Sequence, residues 1–386
     1  LIFNFTTSQR QLIFGLSSSH AAATLAIILV GYNAGILDEN ILNGTIILIL
    51  ITCVVASFAT EKAAKKIIIT GESDGDALQT PNTISNEHIL LPIANVESID
   101  KNLELALLIK DKKSPNPVSI LSVVPNDQEA EINIIKSKNK LEQYVRQGSA
   151  AETKVNVIAT IDHNAMSGIS RTFREIMSDI VILGWPQKMG FMEKLMGEKL
   201  ETILSNTDKT IFISNLEKPL ISLKRISLIA PPLSELENGF SIWLTKLNRL
   251  AQELSIPLMI YGEAKTHDAI LEQTKKSSLN IQLSFTIFSE WEDILIISRY
   301  IKEDDLLVMV TSRKGSVSYE NVLENIPSKL EKHFEQNSKI LIYPRQQDYS
   351  HLSENYEDIT RGPLSKGIET IGKGIQSIFR FGKSSE

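Results

Sequence analysis

Hydrophobic and polar positions divide this chain into two unlike parts. Ile41–Phe58 reads ILNGTIILILITCVVASF, eighteen residues without a charge. It runs straight into Glu61-Lys62-Ala63-Ala64-Lys65-Lys66. An uncharged aliphatic run of that length is about the minimum that crosses a hydrocarbon core as a helix. Leu12–Val30, LIFGLSSSHAAATLAIILV, is a second candidate span, uncharged unless His20 is protonated. Between the two, Gly31–Asn40 carries only Asp38 and Glu39. Arg10 flanks the outer end of the first span, and Lys62, Lys65 and Lys66 flank the second. Positive residues are retained on the cytoplasmic side. The pattern therefore predicts a hairpin that enters from the cytoplasm, turns at Asn33–Asn40 and returns. Everything after Lys66 is then cytoplasmic. A cleaved signal peptide does not fit the first span, because a second span follows and no small-residue cleavage site separates them.

Beyond the hairpin the pattern changes twice. Ile69–Glu87, ITGESDGDALQTPNTISNE, is polar and shows no hydrophobic period, as a linker does. Short aliphatic runs then alternate with amphipathic stretches. The predicted order is strand His88–Ile93, helix Ile99–Lys110, strand Val118–Val124, helix Gln128–Gln147 and strand Val155–Ile161. Helix Ser167–Met177, strand Ile180–Gly184, helix Phe191–Leu204 and strand Thr210–Ile213 complete a unit. A second unit follows: strand Arg225–Ala230, helix Phe240–Leu254, strand Pro257–Tyr261, helix Thr266–Lys276 and strand Ile281–Ile287. It closes with helix Glu290–Ile301, strand Leu306–Thr311, helix Asn321–Phe334 and strand Lys339–Tyr343. SDIVILGW in the first unit answers DDLLVMVTS in the second, and KTIFIS answers SKILIYP. Two copies of a β-α-β-α-β-α-β-α-β unit imply an α/β fold of two tandem, doubly wound parallel sheets covered by helices. Nearly all-aliphatic strands agree with burial on both faces.

The expected division is residues 1–66 for the last two transmembrane helices and 67–86 for the linker. The two repeats take 87–218 and 219–345, and residues 346–386 form a flexible tail. Within the tail Leu364, Ile368, Ile371, Ile375 and Ile378 recur at helical spacing among Lys366, Lys373, Arg380 and Lys383. That is an amphipathic basic segment suited to a membrane surface or a protein groove. Two helices make a poor membrane domain alone, so the chain reads as the carboxy-terminal part of a longer multi-pass protein.

Composition narrows the chemistry. The net charge of −6 gives nucleic-acid binding no electrostatic support. Cys53 is the single cysteine, so neither an internal disulfide nor a thiolate metal cluster is available. Six scattered histidines show no metal-ligand spacing. No metal site and no catalytic residue are expected.

The repeats resemble universal stress protein domains, on the first strand ILLPIAN, the paired fourth strands and the closing ILIYP. The hairpin segment Phe14–Ile67 resembles the final two helices of monovalent cation/proton antiporters of the second cation-proton-antiporter family. The resemblance covers Phe14 to about Pro344. It implies exchange of Na+ or K+ for H+, transport rather than enzymatic catalysis, and a multi-pass protein of the inner membrane. The partners expected are membrane lipid, the exchanged ions and a second copy in a homodimer. The stress-protein pair would be regulatory. In that transporter family the ions bind carboxylates on unwound helices near the bilayer midplane. Neither span here holds Asp or Glu, so no ion-binding residue is carried over. A different transporter, such as an amino-acid permease, and a membrane-anchored sensor are the rival readings.

Nucleotide-binding members of the stress-protein family carry Gly-x-x-Gly and a later Gly-Ser/Thr after the fourth strand. Gly184, Gly190 and Gly197 match that pattern here and are the candidate cofactor-binding residues. Gln187 replaces the second family glycine and Glu198 replaces the serine. A carboxylate there repels a polyphosphate and competes for the N–H groups that cradle it. Ala94-Asn95 stands where binding members carry an aspartate at the end of the first strand. The second repeat keeps only Gly315 in Thr311–Ser316. ATP is therefore not expected as a cofactor, and the glycines read as turn residues. Asp162-His163 reads as a helix-capping loop, Ser17–His20 as polar residues that hydrogen-bond neighbouring helices, and Trp185 and Trp291 as packing anchors.

Overall fold

The computed structural model describes residues 5–18, 21–70, 86–93, 99–185, 203–204, 207–277, 279–291 and 294–346. The centre of the expected linker, Ala94-Asn95, most of the expected helix Phe191–Leu204, and the tail after Gln346 lie outside those residues.

The amino-terminal part is helical. α1 (Thr7–Ser18) and α2 (Ala21–Asn33) lead to a turn, and α3 (Glu39–Thr70) runs back for 32 residues. Thr7–Asn33 and Glu39–Ile67 are both long and apolar enough to cross a membrane. Their apolar side chains face outward: Ile27 is 71% exposed and Phe58 67%. α1 packs on α3 through small residues, with Ser8, Gly15, Ala56 and Ala63 buried. A Cβ added at Gly15 would sit 2.3 Å from Thr60 Oγ1, so only glycine permits this helix approach.

The body is one sheet of ten strands. β1 (Ile89–Pro92), β2 (Val118–Pro125), β3 (Val155–Asp162), β4 (Ile180–Gly184) and β5 (Thr210–Asn215) form the first half. β6 (Arg225–Ile229), β7 (Leu258–Gly262), β8 (Leu283–Ile287), β9 (Asp305–Val310) and β10 (Ser338–Tyr343) form the second. The spatial order is β3-β2-β1-β4-β5-β10-β9-β6-β7-β8. Each half is parallel and has the same order, and the halves meet where β5 and β10 pair antiparallel, Phe212 opposite Ile342. The two sheets are halves of one, related by a pseudo-twofold axis at this seam, the pairing of last strands that the short link Asn215–Leu223 and their free edges lead one to expect. Pairing the two last strands removes an exposed edge from each half.

Strand alternation builds two cores. Ile89, Leu91, Ile180, Ile182, Leu306, Val308, Ile340 and Ile342 face one side. There they meet α4 (Ile99–Ile109), α5 (Ala130–Ala150), α7 (Phe240–Leu254) and α8 (Ala264–Lys276). Leu90, Val181, Leu307, Met309 and Leu341 face the other, against α6 (Ala165–Glu175) and α9 (Ile326–His333). This period of two is what a strand buried on both faces requires.

Two expected helices differ. In place of Glu290–Ile301 there is a short 3-10 helix, Ile294–Arg299, following the buried Trp291. Ile294, Ile296 and Ile297 are β-branched and resist an α-helix, while Ile294 and Ile297 insert into the core. Asn321–Phe334 is split into a 3-10 helix, Asn321–Asn325, and α9. Pro327 sits in the first turn of α9, where its missing N–H costs nothing. That proline fixes where the α-helix starts.

Candidate functional site

In doubly wound sheets, ligands bind beyond the carboxyl ends of the strands where the strand order reverses. Here those places lie beyond β1 and β4 in the first half, and beyond β6 and β9 in the second.

Of the glycines picked out in the first half, Gly184 ends β4 and pairs with Ser214 of β5. Gly190 and Gly197 lie outside the described residues, as do Gln187 and Glu198. Trp185 turns back on the sheet: its N–H donates to Ser214 O at 2.7 Å. Its ring lies 5.5 Å from Lys339 Nζ of β10. Ser214 donates its hydroxyl to Asn102 Oδ1 at 2.9 Å. Trp185 therefore packs at the seam between the halves, in line with the anchor reading.

The corresponding place in the second half is filled from within. The Ser318 N–H and hydroxyl both donate to Glu237 Oε1, at 2.8 and 2.7 Å. An acidic side chain thus holds donors that an anionic ligand would use. Glu235 Oε2 accepts the Thr266 hydroxyl at 2.8 Å alongside. The chain leaving β10 crosses the same place: a Cβ at Gly239 would lie 2.3 Å from Arg345 N. Gln346 then bonds Asp208 O through its N–H, and Ser316 Oγ through its side chain at 3.0 Å. Leu233, in the loop after β6, adopts the left-handed φ of 63°, which costs a branched side chain energy.

Arg313 turns the loop after β9 into a bolt between the halves. It is 6% exposed. Its guanidinium donates to the carbonyls of Leu204 at 3.1 Å, Thr207 and Lys209, all in the first half. Burial lowers its pKa to about 10, against the opposing pull of Asp208. No pattern of spacing marks this residue in the sequence. Gly315, with φ of 86°, makes the turn that follows.

The other candidates among the described residues resolve as structural, while Ser19 and His20 lie outside them. Asn164, not Asp162 or His163, caps α6, accepting the Met166 N–H at 2.9 Å. Asp162 instead takes the Asn164 N–H at 3.3 Å and pairs with Arg171 at 3.4 Å. His163 meets Asn126 at 3.2 Å in solvent. Trp291 packs edge-on against Phe288 at 5.1 Å. Ser17 and Ser18 donate to Ile13 and Phe14 carbonyls of their own helix. Among the described residues no group of three His, Cys, Asp or Glu is placed to hold a metal.

With the fold in hand, comparison with known proteins places it. The Na(+)/H(+) antiporter NhaS5 of Synechocystis sp. is 26% identical over 245 residues. The chain resembles a sodium/proton antiporter. The match takes 58% of this chain and 35% of the antiporter, so the chain spans about a third of that relative's length. The antiporter resemblance read in the sequence is matched by this relative. No family model matches the chain. A universal stress protein from Archaeoglobus fulgidus aligns with TM-score 0.47 and 15% identity, covering 68% of this chain and 97% of its own. The cytoplasmic domain of a prokaryotic cation chloride cotransporter aligns with TM-score 0.45 and 12% identity, over 67% and 95%.

Proposed function

We propose that this chain is part of a membrane cation/proton antiporter, exchanging Na+ or K+ for H+, whose ten-stranded body is a cytoplasmic regulatory unit. The sequence match to a sodium/proton antiporter carries this reading. Two outward-facing apolar helices followed by Lys62, Lys65 and Lys66 support an inner-membrane hairpin with the body on the cytoplasmic side. At the second reversal point Glu237 holds the Ser318 donors, which favours regulation through contacts over a bound cofactor there. A homodimer is the expected assembly.

The test uses the complete natural protein in everted membrane vesicles of an antiporter-deficient bacterium. A respiration-driven proton gradient is set up and read with a quenched acridine dye. Na+ or K+ should restore fluorescence within seconds. No response to either cation over pH 6.5–8.5 would overturn the antiport reading. Removal of residues 87–346 should shift the pH or cation dependence while leaving exchange measurable; an unchanged profile would remove the regulatory role.

A further inference from the structure

Buried charges from both halves collect where the connection from α3 enters the body. Glu87 lies two residues before β1 and is 8% exposed. Its carboxylate pairs through Oε2 with Lys246 of α7, in the second half. Oε1 accepts the Asp111 N–H at 3.1 Å, and the Glu87 carbonyl accepts the Ser114 hydroxyl at 2.6 Å. Lys110 follows α4 and is 4% exposed; Lys246 is 3% exposed. Lys110 Nζ donates to the carbonyls of Ser114 and Asp111, at 3.2 and 3.3 Å. Arg249, one turn beyond Lys246, donates to Lys110 O and to Asp111 Oδ1, the latter at 3.2 Å. At the rim Lys112 pairs with Glu253 at 2.9 Å. His88, beside Glu87, spends its ring nitrogens on Ile176 O and Ser119 Oγ.

Three cations, Lys110, Lys246 and Arg249, therefore face two carboxylates, Glu87 and Asp111. One positive charge is in excess, with Glu87, Lys110 and Lys246 buried and Arg249 and Asp111 partly open to water. An excess buried charge is costly, and the group that can neutralise does so. Arginine keeps its proton, which leaves the lysines. Burial, the largest influence on both, lowers Lys246 and Lys110 below the ordinary lysine value, against the pull of Glu87.

We propose that this cluster is a proton-sensitive clamp between the two halves, holding more tightly as one buried lysine gives up its proton on alkalinisation. The direction follows from linkage. An opened seam would hydrate both lysines and return them to their ordinary range, so the open form binds more protons. Rising pH therefore favours the closed form, and falling pH loosens it. α3 ends at Thr70 and Glu87 receives the connection from it. The clamp thus fixes both the seam and the anchor of the membrane hairpin on the second half. This inference stands on the cluster alone and does not require antiport.

The full chain in detergent micelles is unfolded thermally between about pH 7 and about pH 10, a window below the ordinary lysine pKa. The difference in midpoint between the natural chain and Lys246→Met should grow with pH, because the variant lacks the excess charge. Glu87→Gln adds to the excess, so its deficit should be largest near pH 7 and shrink as pH rises. Lys112→Met, at the exposed rim pair, should run parallel to the natural chain. If Lys246→Met does not fold, Lys110→Met serves as the second variant. Lysines carrying isotopic methyl labels are titrated by NMR in the same micelles. The resonance lost in Lys110→Met or Lys246→Met should titrate at lower pH than the rest. Parallel unfolding midpoints in all variants, or both buried lysines titrating with the exposed ones, would overturn the proposal.

Discussion

Arg313 decides by itself what the loop after β9 does. Its guanidinium fits three backbone carbonyls of the other half, and removing it would take a buried donor away from all three. Unsatisfied buried groups cost about 1–3 kcal/mol each. Arg313→Met should therefore lower stability by about 3 kcal/mol, read by chemical denaturation, whereas an exposed Lys112→Met should change it little. His88 gives a pH-dependent counterpart. Burial holds its pKa below 6.5, with the Ile176 carbonyl opposing. A base with a depressed folded pKa stabilises fully above its unfolded value and loses that contribution as pH falls. Stability should thus drop as pH falls below 6.5, and His88→Gln should flatten that drop in a series of unfolding midpoints. Equal slopes for the two proteins would refute this. Asp305 shows the compensated case: wholly buried, it holds Arg225 through two contacts, at 2.6 and 2.7 Å, and takes Ser227 and the Lys302 N–H.

At the scale of elements, boundaries follow capping chemistry more than hydrophobic period. α6 begins at Ala165 because Asn164 supplies the cap. Asn164→Ala should cost about 1 kcal/mol, and Asn164→Ser much less; equal losses in denaturant titrations would show that the side-chain bond is idle. The strands were legible because aliphatic runs buried on both faces have few alternatives. Helices Glu290–Ile301 and Asn321–Phe334 were over-read: apolar spacing was present, but β-branched crowding and Pro327 outweighed it. Gly148 shows a tertiary constraint on an element end. A Cβ there would lie 2.2 Å from Val155 Cγ2, so Gly148→Ala should destabilise, although alanine is the better helix former.

At the scale of the molecule, two expectations remain to be measured. ATP should not bind with low-micromolar affinity: Glu237 already holds the Ser318 donors, and Glu198 replaces the family serine in the first half. Calorimetric titration of the full chain checks this; if weak binding is found, Glu198→Ser should tighten it by removing a negative charge near the phosphates. The segment Leu364–Arg380 should gain helix on anionic vesicles and lose it as salt rises, since each basic residue contributes on the order of 1 kcal/mol near acidic lipid. Circular dichroism of the peptide decides, and an unchanged coil spectrum would eliminate the membrane role.

The sequence by itself determined the apolar hairpin, the β/α alternation and the doubling of the unit. All of these are written in local periodicity and composition, which need no partner to be read. Of the candidate site it determined only the degenerate glycines. Tertiary structure alone decided the antiparallel register in which the last strands of the two halves meet, and that Glu237 and Arg313 fill the second reversal point. It also decided that Glu87, Lys110, Asp111, Lys246 and Arg249 share one buried place. Those are pairings between residues far apart in the chain. Their energies come from burial and desolvation, which depend on what surrounds a side chain and leave no periodic mark along it.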